Sequence, residues 1–469
     1  MTGSGTLSME RYVITTKSPA IRMWQRAAGA LIVALAAIGA GQAFAGNTQA
    51  ARSDRLLVGE SLTAARELVS RDGSHRLAMR ANGSAAVLSS SGMLQWQSTA
   101  ANAGASLQFR ADGKLVLLTA TGAGRWWSPP AGATAELFVL DSGQLAAYID
   151  QRPIWWTPIR ATVAGQTVST GTGPDYPVLP RNPALHPFAS TSPWNTPIGS
   201  GARFEGDNGA LAKRLRDHTK AVVNHTAWSV AVYQASASDP YAAVRSIRNS
   251  QTRYGHVPTR TVPTAGDDRH VAVLQPDNRS YLDSFKWENW TGSRWNTQLT
   301  SVLDLHGAGI NEGHRAARTP AIAGLIRKHE LESGHIPHAL ALAVPDSVLK
   351  SGFVWPARAQ DANHATAYAG NVPMGTLFAI PPGVDLNQLG LSLEGLVLGE
   401  ALQNYGAYVV DRAGTAALYC ELACDSTRVA ALQAAWLKLR NHVRAVTNNS
   451  STNVGGGGTP GAPLAPPLP

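Results

Sequence analysis

The chain has 469 residues, enough for two or three domains that each bury a core, and it is rich in Gly (45), Pro (28) and Trp (13). Only 15% of the residues are charged, a composition that is typical of turn-rich β proteins and excludes a coiled coil or bulk disorder. The formal net charge is +9, but no Lys/Arg run occurs in the body of the chain. The charge therefore predicts a mild attraction for anionic surfaces and no nucleic-acid partner.

The first 45 residues have the pattern of a secretory signal peptide. Arg22 and Arg26 precede an apolar run over residues 27–40, and Ala-Phe-Ala at residues 43–45 forms a cleavage site. The run is shorter than the ~20 apolar residues that a membrane span needs. We therefore predict a cleaved signal peptide over residues 1–45, a secreted or periplasmic protein, and no stable membrane insertion.

Residues 77–148 contain nearly the same phrase three times. The copies read LAMRANGSAAVL from Leu77, LQFRADGKLVLL from Leu107 and LFVLDSGQLAAY from Leu137, and each is closed by a tryptophan phrase, LQWQS, RWWS or IWWT. A fixed period of about 30 residues indicates one supersecondary unit used three times. Alternating apolar residues and a glycine at the same place in each copy predict antiparallel strands joined by tight turns. Trp96, in the first closing phrase, is predicted to lie in the core.

The repeat resembles the bulb-type (monocot mannose-binding) lectin domain, over residues 55–158. The opening segment LLVGESLTAARELVSRDGSHRLAMRANGS, with Gly59, Leu62 and Gly73 in place, fits that family as well. The resemblance implies a pseudo-threefold β-prism lectin module that binds carbohydrate. It also implies one mannose pocket per repeat, built from the pattern Q-x-D-x-N-x-V-x-Y.

No copy keeps the full pocket pattern. The second copy offers one carboxylate flanked by two cations, and the third copy offers an amide and a phenol; the predicted carbohydrate-binding residues are Arg110, Asp112, Lys114, Val116, Gln144 and Tyr148. Sugar hydroxyls are held by directional hydrogen bonds, whereas two cations suit an acidic sugar better than mannose. We predict an extracellular glycan or polysaccharide, acidic by this argument, as the partner. The alternative is a lectin scaffold kept for structure or protein contact.

The rest of the chain is predicted to consist of a linker, a larger domain and a tail. Residues 159–187 are rich in Thr, Gly and Pro and predict a semi-rigid linker. Residues 188–447 are predicted to form a mixed, mostly antiparallel β domain with a few helices; the strand-like phrases are SVAVYQ, HVAVLQ, SVLDLHG, ALALAV, TLFAI and AYVVD, and the helical ones begin near residues 208, 319, 391 and 427. The low-complexity segment 448–469 is predicted to be disordered.

Two cysteines, Cys420 and Cys424, are the complete set in the chain. In an exported protein they predict a local disulfide. Neither a cofactor nor a metal site is predicted, because two cysteines alone do not make a zinc site. The spacing of His335 and His338 is also not that of the H-E-x-x-H motif.

The larger domain resembles secreted bacterial proteins that often carry carbohydrate-binding modules. The phrases behind this resemblance include SPWNTPI at Ser192, HRAARTPAIAGL from His314 and YGAYVVD at Tyr405. The resemblance implies glycan chemistry without naming a reaction.

Four residues are candidates for catalysis: Asp304, His306, His338 and Asp411. A polysaccharide hydrolase needs two carboxylates, one protonated and one ionised, and Asp304 and Asp411 each end an apolar strand phrase. A lyase needs a base such as histidine. Both reactions remain open at this stage, as does a non-catalytic adhesive protein. An enzyme requires the four residues to converge in one cleft.

Overall fold

The computed structural model describes residues 54–98, 101–128, 133–141, 143–149, 152–157, 181–217, 220–288, 290–292, 294–462 and 464–469. The signal-peptide prediction and most of the linker prediction lie outside these residues. So do the side chains of the tryptophans that close the second and third repeats.

The described residues between 55 and 156 form twelve short strands. They are β1 (Arg55–Leu57), β2 (Ser61–Leu62), β3 (Leu68–Val69), β4 (His75–Met79), β5 (Ala85–Ser89), β6 (Leu94–Gln97), β7 (Ser106–Phe109), β8 (Leu115–Leu118), β9 (Gly124–Trp127), β10 (Glu136–Val139), β11 (Leu145–Ile149) and β12 (Arg152–Trp156). The strands make three four-stranded antiparallel sheets, ordered β3-β4-β5-β6, β2-β7-β8-β9 and β1-β10-β11-β12. Each repeat contributes three consecutive strands, and the segment before the repeats adds one strand to each sheet.

One core is shared by all three sheets. Leu77, Leu107 and Leu137 are 0% exposed and belong to a single buried cluster that also contains Trp96, which confirms the predicted core role of this tryptophan. The turn glycines have positive φ, and a Cβ on Gly83 would lie 1.9 Å from the carbonyl oxygen of Asn102. Glycine is therefore required there both for the turn and for the close contact.

The hydroxyl after each closing tryptophan phrase holds the neighbouring strand. Backbone N–H groups at residues 85, 115 and 145 donate to the hydroxyl oxygens of Ser98 (3.0 Å), Ser128 (2.9 Å) and Thr157 (2.9 Å). These three bonds repeat at almost the same period as the leucines. They explain why each repeat ends in serine or threonine.

The larger region contains fifteen strands among the described residues. They are β13 (Ala221–Asn224), β14 (Val230–Gln234), β15 (Tyr241–Ser246), β16 (Thr252–His256), β17 (His270–Leu274), β18 (Ser280–Phe285), β19 (Trp295–Thr297), β20 (Leu299–Asp304), β21 (Leu340–Val344), β22 (Leu349–Phe353), β23 (Val372–Met374), β24 (Leu377–Ala379), β25 (Ala407–Arg412), β26 (Ala416–Tyr419) and β27 (Arg444–Ala445). They form sheets of order β13-β26-β21-β25-β24-β27, β14-β17-β18-β20, β16-β15-β19 and β22-β23. The fold is mainly β, and most described strand pairs are antiparallel, as predicted.

Helices are few and short. They are α1 (Ala210–Asp217), α2 (Lys328–Ser333), α3 (His364–Ala367), α4 (Leu393–Asn404) and α5 (Ser426–Leu439), with 3₁₀ turns at Leu386–Leu389 and Val454–Gly456. Asp425 caps α5 by accepting hydrogen bonds from the backbone N–H groups of Thr427 and Arg428. The apolar face of α5 buries Leu432 and Trp436 in the core, which gives the helix a packing role.

The helix predicted from residue 319 is much shorter in the structure, because only its last part, α2, is helical. Ile326 instead pairs with the sheet: its N–H donates to the carbonyl of Tyr419, and its carbonyl accepts from the N–H of Glu421. Gly324 has φ +68, and a Cβ there would lie 2.3 Å from the backbone nitrogen of Ala341. Close packing against β21 thus prevents this segment from forming the helix that its sequence pattern predicts.

The structure also differs from the predictions at the two ends of the larger region. Residues 181–187, the end of the predicted linker, pack on this region, and Arg181 and Ala184 are buried. The segment predicted to be disordered pairs with residues 198–199: Gly199 N–H donates to Gly455 O (3.0 Å), and Gly461 N–H donates to Ile198 O (2.8 Å). Four successive glycines, 455–458, all have positive φ, so the composition that indicates disorder also permits this tight path.

Cys420 and Cys424 are bonded to each other, with their Cα atoms 6.3 Å apart, so the predicted local disulfide is confirmed. It spans the turn from β26 into α5. Within the described ranges, no helix is long and apolar enough to cross a membrane.

Candidate functional site

The turn of the second repeat presents charged groups at the surface. Arg110 and Asp112 are exposed on the turn between β7 and β8, and Lys114 is half-buried beside them. Asp112 Oδ1 accepts a hydrogen bond from the Lys114 N–H (3.0 Å), and Lys114 O accepts from the Arg110 N–H (2.8 Å). The turn thus fixes two cations and one carboxylate on a short stretch of backbone. Val116 lies beneath them and is 6% exposed.

The predicted residues of the third repeat lie in packing positions. Gln144 is 0% exposed, and its Nε2 donates to the carbonyl of Thr157 (3.0 Å). Tyr148 is 5% exposed and meets Phe138 edge-to-face, with 5.7 Å between ring centroids. The position of a residue within a repeat does not predict whether its side chain is buried. The predicted residues of the second copy reach the surface, except for Val116, whereas those of the third copy are buried.

The four predicted catalytic residues lie in three different surroundings. Asp304 and His306 are together at the end of β20, where Asp304 Oδ1 accepts from the His306 N–H (2.8 Å). Asp411, in β25, faces Arg315 with 3.8 Å between Oδ2 and Nη1. His338 precedes β21 and binds Glu330. The four residues therefore do not converge in one cleft, so the condition for an enzyme built on these four residues is not met.

His338 and Glu330 form a buried ion pair. Glu330 is 2% exposed and His338 is 7% exposed, and His338 Nε2 lies 2.9 Å from Glu330 Oε1. His338 Nδ1 lies 2.9 Å from the carbonyl oxygen of Ala339, so both ring nitrogens face oxygen acceptors, an arrangement that favours the protonated ring. Burial disfavours the charged ring, but Glu330 outweighs burial and raises the pKa of His338. Burial likewise opposes the carboxylate, but His338 lowers the pKa of Glu330.

This ion pair supports the chain around SPWNTPI. A small cavity beside it is lined by His186 and Asn195, among other residues. Asn195 Nδ2 donates to backbone carbonyls of residues 187–189, and its Oδ1 lies 2.9 Å from His186 Nε2. Trp194 is 1% exposed. His338 is therefore part of a packed structural unit and lies away from the other three candidates.

A second group of polar side chains surrounds the loop after β20. Within the described part of the chain, several of its buried polar atoms have no hydrogen-bond partner: His270 Nδ1, Tyr281 OH, Asp283 Oδ2, His306 Nε2, Glu312 Oε1, His314 Nε2, Arg315 Nε and Thr319 Oγ1. Buried polar atoms nearly always have a partner, which can be an ordered water, so this group of atoms is a candidate binding site. We call these eight residues the β20 cluster.

Sheet geometry places the inner part of the β20 cluster. Residues directly opposite one another in an antiparallel pair share a face, and Asp283 of β18 lies opposite Ala272 of β17 and Ser301 of β20. Asp283 is 0% exposed, and its Oδ1 accepts from the Ala321 N–H (3.0 Å), which fastens the loop to the sheet. Burial raises the pKa of Asp283, and it lowers the pKa of His270 to about 3.

Glu312 and Asp304 both lie close to Gly307, on the loop that follows β20. A Cβ placed on Gly307 would lie 3.7 Å from Glu312 Oε1 and 3.8 Å from Asp304 Cβ. Partial burial, reinforced by the charges of Asp283 and Asp304, raises the pKa of Glu312 to about 7. Asp304 is 42% exposed and pairs with Arg279, with 3.1 Å between Oδ2 and Nη2. A carboxyl with a raised pKa near a second acidic side chain is an arrangement that acid–base catalysis can use.

Arg315 connects the β20 cluster to Asp411. Its side chain is 1% exposed, its guanidinium carbon lies 4.1 Å from the ring centroid of Tyr419, and its Nη2 donates to the carbonyl of Ala321 (3.1 Å). Burial raises the pKa of Asp411 to about 7, although Arg315 opposes this. In the described residues, no group of three or more His, Cys, Asp or Glu side chains is arranged to hold a metal ion.

Sequence reasoning did not assign Glu312, Asp283 or Tyr281 to the site. The sequence contains one indication for Asp283, because an acidic residue is unusual in a strand as apolar and buried as SYLDSF. Glu312 carries no such mark because it lies in an irregular loop whose path depends on glycines and tertiary contacts.

Several solved structures that are similar to part of this chain are lectins, some of them described as mannose-binding. A lectin of Japanese Marasmius oreades is 17% identical, with a TM-score of 0.21, over 22% of this chain and 90% of the lectin. A monomeric monocot mannose-binding lectin from Gastrodia elata is 21% identical, with a TM-score of 0.21, over 24% of this chain and 100% of the lectin. The mannose-specific agglutinin of snowdrop (Galanthus nivalis) bulbs, solved with methyl-α-D-mannoside, is 19% identical, with a TM-score of 0.19, over 26% of this chain and 100% of the lectin. No family model matches the sequence, and no curated protein matches it either.

Proposed function

We propose that this protein is exported and binds an extracellular carbohydrate through residues 55–157. The observation that carries the proposal is the turn of the second repeat, where Arg110, Asp112 and Lys114 meet the solvent on one rigid loop. Three sheets around a single core hold that loop in place, so little conformational entropy is lost when a ligand binds.

The charges on this turn favour an acidic glycan. Arg110 and Lys114 are cationic donors, and a uronate carboxylate accepts charge-assisted hydrogen bonds from such groups. Asp112 adds an acceptor for a neighbouring sugar hydroxyl. Because the site is exposed, salt will screen the attraction, and binding will weaken as ionic strength rises.

Removing both cations tests this proposal. We expect Arg110→Ala/Lys114→Ala to bind acidic polysaccharide roughly 10- to 30-fold more weakly, because a solvent-exposed ion pair contributes up to about 1 kcal/mol and two such pairs contribute up to about 2 kcal/mol. The measurement is affinity electrophoresis of the full-length protein in gels containing polygalacturonate, alginate or hyaluronate, with carboxyl-reduced forms as neutral counterparts.

The matched control is Arg71→Ala/Arg76→Ala, which removes two exposed arginines from the same module but leaves the turn intact. It is expected to retain wild-type mobility shifts. If both double variants lose the same amount of affinity, the binding depends on net charge alone, and a site at Arg110 is contradicted. No shift of the wild-type protein on any polysaccharide would end the carbohydrate-binding proposal.

A second function is supported by the β20 cluster. We propose that the larger region acts on the bound polysaccharide by hydrolysis, since Glu312 and Asp304 both lie close to Gly307 and burial, with the charges of Asp283 and Asp304, raises the pKa of Glu312 to about 7. In this reaction the Glu312 carboxyl protonates the glycosidic oxygen, and the Asp304 carboxylate removes a proton from the attacking water. The C–O bond breaks, and water adds to the anomeric carbon.

The products decide between hydrolysis and elimination. New reducing ends without ultraviolet absorbance indicate hydrolysis, whereas unsaturated-uronate absorbance indicates a lyase in which a histidine of the cluster is the base. Incubation of the full-length protein with the same polysaccharides that gives neither product supports a non-catalytic adhesive protein.

A further inference from the structure

The three-stranded sheet β16-β15-β19 has one face in the core and one in solvent. Side chains alternate along a strand, and in β15 Ala242 and Val244 are buried in a cluster that also contains Trp295 of β19. The alternate residues Tyr241, Ala243 and Arg245 therefore lie on the outer face.

Two tyrosines on that face are exposed and parallel. Tyr241 is 68% exposed and Tyr254 is 58% exposed. Their ring centroids are 6.3 Å apart, and the angle between the ring planes is 15°. His256 meets Tyr241 edge-on at 5.3 Å and is itself held by the carbonyl of Asp239, 2.7 Å from Nδ1. The pair is thus fixed by its strands and by His256, with large ring surface left in water.

Polar residues continue the same face beside the rings. Arg245 lies opposite Thr252 of β16 and Asn296 of β19, and Ala243 lies opposite Tyr254. The small side chain of Ala243 leaves a shallow floor between Tyr241 and Arg245. We call the residues Tyr241, Tyr254, His256 and Arg245 the tyrosine face.

We propose that the tyrosine face binds a second stretch of the same acidic polysaccharide. A sugar ring combines an apolar C–H face, which stacks on an aromatic ring, with a polar edge that takes hydrogen bonds. On the tyrosine face, Tyr241 and Tyr254 offer aromatic rings for stacking, and polar side chains lie beside them. Arg245 adds a cation that can bind a uronate carboxylate. A protein partner would instead favour a contiguous apolar centre, which is interrupted here by Arg245, Thr252 and Asn296.

This inference takes its ligand class from the proposed function but depends on residues outside residues 55–157. Two contacts on one chain raise overall affinity through effective concentration. Loss of either surface is therefore expected to weaken binding without abolishing it.

The test compares full-length variants by affinity electrophoresis in the polysaccharide gels described above. Tyr241→Ala/Tyr254→Ala is expected to weaken retention about tenfold on both acidic and carboxyl-reduced polysaccharide, because ring stacking does not need the carboxylate. Arg245→Ala is expected to weaken retention on the acidic form alone. Both variants should keep the wild-type melting temperature, since the replaced side chains lie at the surface.

Two controls separate stacking from other effects. Tyr241→Phe/Tyr254→Phe keeps the rings and is expected to bind within about twofold of wild type. Phe353→Ala removes an exposed aromatic residue (47% exposed) from the two-stranded sheet β22-β23 and is expected to change nothing.

The outcomes distinguish this inference from the proposed function. If the tyrosine-to-alanine variant binds like wild type while Arg110→Ala/Lys114→Ala binds weakly, the tyrosine face has no part in binding and the lectin-like site stands. If the tyrosine variant binds weakly while Arg110→Ala/Lys114→Ala does not, the tyrosine face stands and the turn site fails. If wild type is retained on no polysaccharide, both are overturned.

Discussion

Glu312→Gln is expected to lower the rate of polysaccharide cleavage about 10²- to 10⁴-fold, the usual contribution of a general acid. Glutamine keeps the size of the side chain but cannot donate a proton to the leaving oxygen. Retention on polysaccharide gels should remain unchanged, because the carbohydrate-binding turn lies in a different region of the chain. Reducing-end release measures the effect.

The pH profile gives an independent readout of the same group. Burial and the charges of Asp283 and Asp304 raise the pKa of Glu312 to about 7, so its acid form is lost as the pH rises through 7. Cleavage by the wild-type protein is expected to fall over that range. The residual activity of Glu312→Gln should lack this alkaline limb.

Asp411 also has a pKa raised to about 7, so it must be separated from Glu312. Asp411→Asn is expected to keep the alkaline limb if Glu312 is the acid. Glu332→Gln, an exposed glutamate on α2 (side chain 56% exposed), is the matched control and should retain full activity. An unaltered pH profile in Glu312→Gln would contradict the assigned role.

Glu330→Ala is expected to lower the free energy of unfolding by about 3–5 kcal/mol, because it leaves a buried charge without its partner. His338 would remain 7% exposed with nothing opposite Nε2, and the backbone N–H of Arg327 would lose the oxygen that now accepts from it at 2.7 Å. Urea titration followed by tryptophan fluorescence measures the change.

The stabilisation depends on pH in a direction that follows from the two shifts. The pKa of Glu330 is lowered from 4.5, so its contribution is present above that value and is lost as the pH falls through the lowered pKa. The pKa of His338 is raised from 6.5, so its contribution is present below that value and is lost as the pH rises through the raised pKa. The difference in stability between wild type and Glu330→Ala should thus be largest between about pH 4.5 and 6.5.

Glu332→Ala, on the same helix, removes an exposed carboxylate that pairs with Lys328 at 3.7 Å. Exposed pairs contribute less than about 1 kcal/mol, so this control should be close to wild type. A small effect of Glu330→Ala, equal to that of Glu332→Ala, would contradict the structural role assigned to the buried pair.

The three repeat copies share a turn that their sequences predict, but they differ in the exposure of the side chains on it. All three copies have the same turn, because a glycine and a 30-residue period determine it locally. The exposure of the Gln144 and Lys114 side chains, by contrast, is not determined by their neighbours in the sequence. Gln144 is covered because its amide meets the carbonyl of Thr157, a contact between strands that no repeat pattern contains.

The same distinction holds for the larger region. Strand phrases such as HVAVLQ and AYVVD predict strands, because apolar and β-branched residues mark a buried strand whatever its partners are. The local disulfide was likewise predicted, because Cys420 and Cys424 are the two cysteines of the chain and lie four residues apart. By contrast, residues 319–327 have a helical pattern but are not helical, because Ile326 makes a bridge to Cys420 and Gly324 packs against Ala341.

The threefold repeat, its turns and core, the mainly β character of the chain and the disulfide could all be predicted from the amino-acid sequence. Each of these depends on residues close together in the chain or on a period within it. The separation of His338 from Asp304 and the approach of Glu312 and Asp304 to Gly307 depend on how distant segments pack together. The stacking of Tyr241 with Tyr254 also depends on tertiary packing. Such groupings join strands and loops that are distant in sequence, and their pKa values depend on burial that arises only when those segments pack together.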